Sequence, residues 1–145
     1  MPPVPFHYID LRAFCYATED EKRVESALRT LLPADHRIDR VESEGHYGDR
    51  ILVLSARVET ADGMRDVLGG LAGLPSLDRV LAELDERVDE NCSLFLRLDK
   101  QAAFNGRVRL GGGITLRAKV EAYPAKREAA VENAREALET VEAGS

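Results

Sequence analysis

Arginine and lysine are concentrated in one segment of a chain whose overall charge is negative. Between Arg97 and Arg127 lie eight basic and two acidic residues, a net charge of +6. The whole chain of 145 residues carries −6, so the rest of it must carry −12. Arginine has a planar guanidinium group that can donate two parallel hydrogen bonds to one phosphate. The segment therefore predicts a local binding site for a polyanion such as a phosphate backbone.

Apolar and polar residues alternate on both sides of the triple glycine 111–113 in this segment. Arg107 and Arg109 precede the glycines, and Arg117 and Lys119 follow them. Alternate residues of a strand point to the same side, so the pattern predicts a glycine-tipped β-hairpin with all four cations on one side. Opposite residues in such a ribbon stand ~5 Å apart, and four like charges there favour an anionic ligand. The alternative is that these four cations form a solvated face or pair with acidic helices of the same chain.

Residues that flank the hairpin extend this predicted nucleic-acid contact surface. Cations at both ends lengthen the track for phosphates, and amide side chains before the hairpin suit sugar or base edges. The glycines supply either a tight turn or a close approach for the ligand. The predicted contact residues are Arg97, Lys100, Gln101, Asn105, Arg107, Arg109, Gly111, Gly112, Gly113, Arg117, Lys119 and Arg127.

Residue types that commonly catalyse reactions are scattered along the chain. His7, His36 and His46 have no nucleophile or paired acid near them in the sequence. The carboxylates of residues 83–90 are spaced to coat a helix, whereas metal-assisted hydrolysis needs them to converge. No Lys-Ser/Thr pair follows the triple glycine, so the segment is not a phosphate-binding loop of a nucleotide hydrolase. We therefore expect no catalytic site, no metal site and no cofactor.

Composition predicts one soluble cytoplasmic domain spanning residues 1–145. No apolar run approaches the ~20 residues that cross a membrane, and the first residues do not resemble a secretion signal. Cys15 and Cys92 lie far apart and are expected to be buried thiols. Sixteen arginines, four lysines and many acids suit a protein adapted to high salt. A genome rich in G and C would also favour arginine, and composition leaves both explanations open.

Periodicity predicts the element order βαββααβββα. The predictions are a strand over 6–18, a helix opened by a capping box at Thr18–Glu21, a hairpin over 37–59 that turns at 44–49, and a helix around 64–71. A helix over 77–88 capped by Ser76, a strand over 92–99, one helical turn after Asp99, the basic hairpin and a helix from Pro124 to about Ala143 complete the order. This order predicts an α+β fold with helices on one face of a mainly antiparallel sheet.

The stretches "FLRLDKQAAFNGRVRLGGGITLRAKVEAYP" and "DLRAFCYATED" resemble an archaeal family of predicted RNA-binding proteins, also described as predicted exosome subunits. The similarity extends over nearly the whole chain, and "RLDKQAAFNGRVRL" is its most specific part. The resemblance implies a two-layer α+β sandwich, with helices over one face of a curved sheet, like that of the large-subunit ribosomal protein that binds 5S rRNA. It also implies pairing into homodimers.

Two functions are consistent with these observations. The first is a non-catalytic protein that binds structured RNA, such as ribosomal RNA or a processing substrate, beside a ribosome or an RNA-processing complex. The second is a protein-interaction subunit whose basic hairpin docks on an acidic partner or on a second copy. An enzyme acting on nucleic acid is disfavoured because the chain offers no nucleophile, metal ligands or poised base.

Overall fold

The protein consists of a five-stranded antiparallel sheet with helices packed against it. The computed structural model describes residues 4–45 and 48–143. The sheet is open, with strand order β2-β3-β1-β5-β4. The elements are β1 (Phe6–Tyr16), α1 (Glu21–Leu31), β2 (Asp39–Glu44), β3 (Arg50–Val58), α2 (Ala61–Leu71), α3 (Leu77–Ala82), α4 (Leu84–Arg87), β4 (Ser93–Asp99), α5 (Lys100–Phe104), β5 (Gly113–Val120) and α6 (Arg127–Ala143). The predicted α+β class is confirmed.

The hydrophobic core lies between the sheet and the helices. Ile9, Leu11 and Ala13 of the central strand β1 are fully buried, and the residues between them face away from the helices. This alternation is what one covered face of a sheet requires. Leu28 of α1 and Leu71 of α2 are buried against the same face. Each large apolar side chain removed from water stabilises the fold by about 1.5–3 kcal/mol.

Helix α1 begins two residues later than the capping box predicts. Asp20 is the N-cap, and its carboxylate accepts a hydrogen bond of 2.9 Å from the backbone N–H of Lys22. Thr18 lies in the turn after β1, which Glu19 closes by accepting a hydrogen bond from the backbone N–H of Tyr16. The capping box at Thr18–Glu21 was therefore wrong, because the turn that ends β1 occupies its first residues.

The helix predicted over residues 77–88 is divided into α3 and α4 at Glu83. Ser76 is the N-cap residue of α3, as predicted, but its side chain makes no capping hydrogen bond. The second piece ends at Arg87 because Val88 is extended and forms an isolated bridge with Leu94. Helix α6 begins at Arg127, three residues after the predicted start.

The first predicted hairpin is confirmed, whereas the second is wrong. Strands β2 and β3 pair from Asp39↔Ser55 to Glu44↔Arg50, and His46 and Tyr47 of their turn lie outside the described residues. Strand β5 instead lies between β1 and β4, and it pairs with both. The segment before the triple glycine makes only one bridge, Leu98↔Leu110, on the outer edge of β4. The two basic arms are therefore separated by β4.

Both cysteines are buried free thiols, as predicted. Among the described residues, no helix is long and apolar enough to cross a membrane.

Candidate nucleic-acid interface

The face of the sheet that carries no helix is the candidate site, and we call it the open face. Its side chains come from alternate positions of all five strands, and the register aligns them in rows. One row joins Phe95, Arg117, Asp10 and Arg57 across β4, β5, β1 and β3. Because directly opposite side chains on one face of a sheet are close neighbours, each row acts as a continuous strip.

The open face is positively charged although the protein is acidic. Five cations and three carboxylates occupy its strand positions, a net charge of +2. The whole chain carries −6, which leaves −8 for the rest. A local excess of positive charge attracts polyanions even when the net charge repels them. The cations are Arg12, Arg57, Arg97, Arg117 and Lys119, and the carboxylates are Asp10, Asp39 and Asp99.

Two of these arginines are held in place by one carboxylate. Asp10 accepts hydrogen bonds of 2.7 and 3.0 Å from Nε and one terminal nitrogen of Arg57, and a third of 2.9 Å from Arg117. The guanidinium carbon of Arg57 lies 3.9 Å from the centroid of the Tyr8 ring, and that of Arg117 lies 5.8 Å from it. Burial alone would raise the pKa of Asp10, but the hydrogen bonds and charges of Arg57 and Arg117 outweigh it and lower that pKa below its ordinary value.

Exposed aromatic and aliphatic side chains share the open face with the cations. Phe14 and Phe95 are each 37% exposed, and Tyr16 is 51% exposed. Val41 of the edge strand β2 is exposed on the same side. Large apolar side chains exposed together on one face of a sheet mark an interaction surface more often than a solvated one.

Three exposed arginines lie on β4 and on the segment 107–110 beside it, and we call Arg97, Arg107 and Arg109 the basic edge. Backbone hydrogen bonds from Asp99 N–H to Arg109 O (2.9 Å) and from Gly111 N–H to Arg97 O (3.0 Å) fix this segment against β4. Leu110 packs toward the core, so Arg109 faces away from it. Within the part of the chain that the structure describes, no carboxylate forms an ion pair with these three arginines.

The remaining predicted cations are already engaged by the protein itself. Lys100 forms an ion pair of 2.7 Å with Glu19 and donates to the carbonyl of Phe14. Lys119 donates to the carbonyl of Asn91 at the other end of β5. Arg127 starts helix α6, in the helix layer, and its guanidinium donates to the carbonyl of Val88. The structure therefore does not bring these three together with the basic edge.

The polar and glycine positions of the predicted site surround helix α5. Gln101 and Asn105 are exposed on α5 and at its C-cap, beside the basic edge in sequence. A Cβ atom added at Gly111 would lie 2.7 Å from Cβ of Asp99, and one at Gly113 would lie 2.6 Å from Cβ of Lys100. Gly113 also has a φ of +110°, a conformation that favours glycine. The glycines let the chain cross closely over the end of β4.

Sequence reasoning missed the residues that β1 and β3 contribute to the open face. Tyr8, Arg12 and Phe14 lie on the open side of β1, and Arg57 of β3 is the direct neighbour of Asp10 on that strand. The signal was present in "FHYIDLRAFCY", where every second residue from Tyr8 is aromatic or charged. Such a composition on the uncovered side of a strand is unusual for a merely solvated surface.

A family model described as RNA binding matches residues 8–120, a span that includes most of the sheet. The chain belongs to this RNA-binding family. The RNA-binding protein PAB1135 of Pyrococcus abyssi is 40% identical over 144 residues, which cover 92% of this chain and 94% of that protein. The uncharacterized protein MJ0213 of Methanocaldococcus jannaschii is 30% identical over 114 residues, which cover 72% and 76%. The resemblance to an archaeal family is confirmed.

Solved structures of archaeal relatives share the fold. Protein AF2318 of Archaeoglobus fulgidus superposes with a TM-score of 0.82 at 31% identity, over 91% of this chain and 99% of that one. A DUF54 protein of Methanothermobacter thermautotrophicus superposes with a TM-score of 0.78 at 43% identity, over 92% and 98%. This chain therefore shares its sheet and its helix layer with both relatives.

Proposed function

We propose that this protein binds structured RNA without catalysing a reaction, and that it contacts the phosphate backbone through the basic edge and the open face. The family and the name of the Pyrococcus relative support RNA as the ligand. The observation that carries the choice of surface is the basic edge, three exposed arginines without ion pairs beside exposed aromatic residues. No other arrangement among the described residues combines free cations with exposed rings on an uncovered face.

The geometry of the basic edge suits phosphates better than it suits an internal partner. Arg97 and Arg109 are carried on neighbouring backbone segments that are joined by hydrogen bonds, so the spacing of their backbones is fixed. Their guanidinium groups are exposed, and each can donate two hydrogen bonds to a phosphate. Arg12 and Arg117 continue the positive strip across the open face toward β1.

The alternative function requires a basic hairpin that docks on an acidic partner or on a second copy. That hairpin does not form. The basic edge itself still leaves an acidic protein surface as a competing ligand. RNA is favoured because exposed aromatic rings lie beside the cations, and rings of this kind stack on nucleobases.

The double variant Arg97→Ala/Arg109→Ala tests this proposal. We expect RNA affinity to fall about tenfold, since each lost charged contact to phosphate is worth about 1 kcal/mol or less at an exposed site. The slope of log affinity against log salt should also decrease by about 1.4–1.8 for two lost phosphate contacts. Fluorescence anisotropy with a labelled structured RNA across a salt series measures both quantities.

The matched control is Lys22→Ala/Arg79→Ala, which removes two positive charges from α1 and α3 in the helix layer. This control should leave both the affinity and the salt slope near the wild-type values. Equal losses in the two double variants would show that only net charge matters and would contradict the proposed surface.

Pairing into a homodimer, a place beside the ribosome or an RNA-processing complex, and a cytoplasmic location remain predictions from the sequence. Gel filtration across a salt series, with and without RNA, tests the first of these directly. A single species at the mass of the monomer under all conditions would contradict it.

A further inference from the structure

A depression of about 430 Å³ lies in the middle of the open face. Its lining includes Arg12, Thr115, Arg117 and Phe95, together with the Asp10–Arg57 pair. The volume falls within the range of about 300–1,000 Å³ that small-molecule sites occupy. It is therefore large enough for one nucleotide rather than for a whole helix.

The aromatic rings of the open face differ in what covers them. Arg57 lies 3.9 Å from the centroid of Tyr8, Arg12 lies 5.4 Å from that of Phe14, and Lys100 lies 5.6 Å from that of Tyr16. Over the residues that the structure describes, Phe95 has no cation on its ring. Its ring lines the depression and is 37% exposed. Phe95 thus offers the free face on which a flat ligand can stack.

Hydrogen-bond donors beside Phe95 are already oriented. Arg117 is the direct cross-strand neighbour of Phe95 and uses one terminal nitrogen on Asp10. Its Nε and its other terminal nitrogen make no hydrogen bond within the described part of the protein. A guanidinium fixed by one carboxylate, with donors left over, is ready to bind a phosphate without further ordering.

We propose that the RNA bound by this protein presents an unpaired nucleotide whose base stacks on Phe95 in this depression, while its phosphate binds Arg117 and Arg12. This inference rests on the proposed RNA binding and names the kind of RNA. In a duplex both faces of each base are covered by its neighbours, so an aromatic platform selects loops, bulges or single strands. Stacking tolerates any base, and so the site selects an unpaired state more than a sequence.

The variant Phe95→Leu tests the stacking while it keeps an apolar side chain at the site. We expect its affinity for a single strand of about 12 nucleotides to fall about five- to hundredfold, the range of one lost base–aromatic stack. Affinity for a blunt duplex of the same sequence should be lower in the wild type and unchanged in the variant. Fluorescence anisotropy with end-labelled RNA measures all four affinities.

The variant Phe95→Trp gives an independent measurement, the fluorescence of a tryptophan at this site, because the natural chain contains no tryptophan. We expect this variant to retain binding, and its emission to be strongly quenched when single-stranded RNA is added. Phe104→Trp is the matched control, since that ring packs against the core from α5 and lies under Arg23 of α1. Its emission should change much less.

The outcomes separate the two proposals. Equal affinity for single strand and duplex, no loss in Phe95→Leu and no quenching in Phe95→Trp would overturn this inference alone, provided that Arg97→Ala/Arg109→Ala still weakens binding. Wild-type protein that binds structured RNA but neither of these two RNAs would overturn this inference alone, and wild-type protein that binds none of the three would overturn the proposed function with it. If Phe95→Leu fails to fold, quenching of Phe95→Trp decides the question.

Discussion

At the scale of single residues, the open face depends on Asp10. Its carboxylate accepts from both Arg57 and Arg117, so it fixes two guanidinium groups that would otherwise be mobile and would repel each other. The charged neighbours explain why the pKa of Asp10 is lowered despite burial, which acts in the opposite direction. A negative residue in the middle of the proposed phosphate-binding face therefore orients two of the cations to which we assign that binding.

This role predicts a pH-dependent stability difference between the wild type and Asp10→Asn. A lowered folded-state pKa means that the stabilisation is fully present above the unfolded-state pKa of about 3.9 and is lost as pH falls through the folded-state value. We expect Asp10→Asn to melt a few degrees lower at pH 7, and the difference to shrink below about pH 4. Circular dichroism melts from pH 7 to pH 3 measure it.

A second carboxylate of the open face provides the comparison. Asp39 lies on the edge strand and pairs with the exposed Arg37, so Asp39→Asn should change the melting temperature very little. A pH-independent difference for Asp10→Asn, or an equal effect in both variants, would contradict the role assigned to Asp10.

At the scale of elements, periodicity predicted most of the fold. The alternation in β1 and the apolar face of α1 were sufficient to predict these two elements, because each element packs against a single layer. The basic hairpin was predicted wrongly because residues 107–110 alternate in the same way as a strand, and three glycines suggest a hairpin loop. Which segment pairs with β5 is decided by contacts between residues far apart in the sequence. Strand β4, in which Leu94, Leu96 and Leu98 are buried, pairs with β5 in place of residues 107–110.

The glycines predict a measurable difference between neighbouring positions. Gly113→Ala should lower the free energy of unfolding by about 1–3 kcal/mol, because the new methyl group would meet Lys100 at a positive φ. Gly112→Ala should change it by no more than about 0.5 kcal/mol, since the nearest atom is 3.9 Å away. Urea denaturation measures both.

Gly112→Ala also distinguishes the two roles that the sequence allows for the glycines, a tight turn of the chain or a close approach of the ligand. If they serve only the crossing over β4, folded Gly112→Ala should bind RNA as the wild type does. A marked loss of RNA affinity in Gly112→Ala, with unchanged stability, would show that the ligand approaches the backbone there.

At the scale of the whole molecule, the fold separates two kinds of surface. One side of the sheet is covered by helices, and the other carries the exposed rings and a net charge of +2 in a chain of −6. The sequence predicted a basic site and its β4–β5 side, but it placed all four central cations on one ribbon. The contribution of β1 and β3 was missed because it depends on which strands lie side by side, and local patterns do not specify that.

The most direct test is to map where RNA contacts the protein. Ultraviolet cross-linking of bound RNA, followed by mass spectrometry of the peptides, reports contacts at single residues. The account predicts cross-links on the open face, at Phe95 and at the neighbouring side chains of β1 and β5, with none on α1, α2 or α6. Cross-links confined to the helix layer, with the open face unmodified, would contradict it.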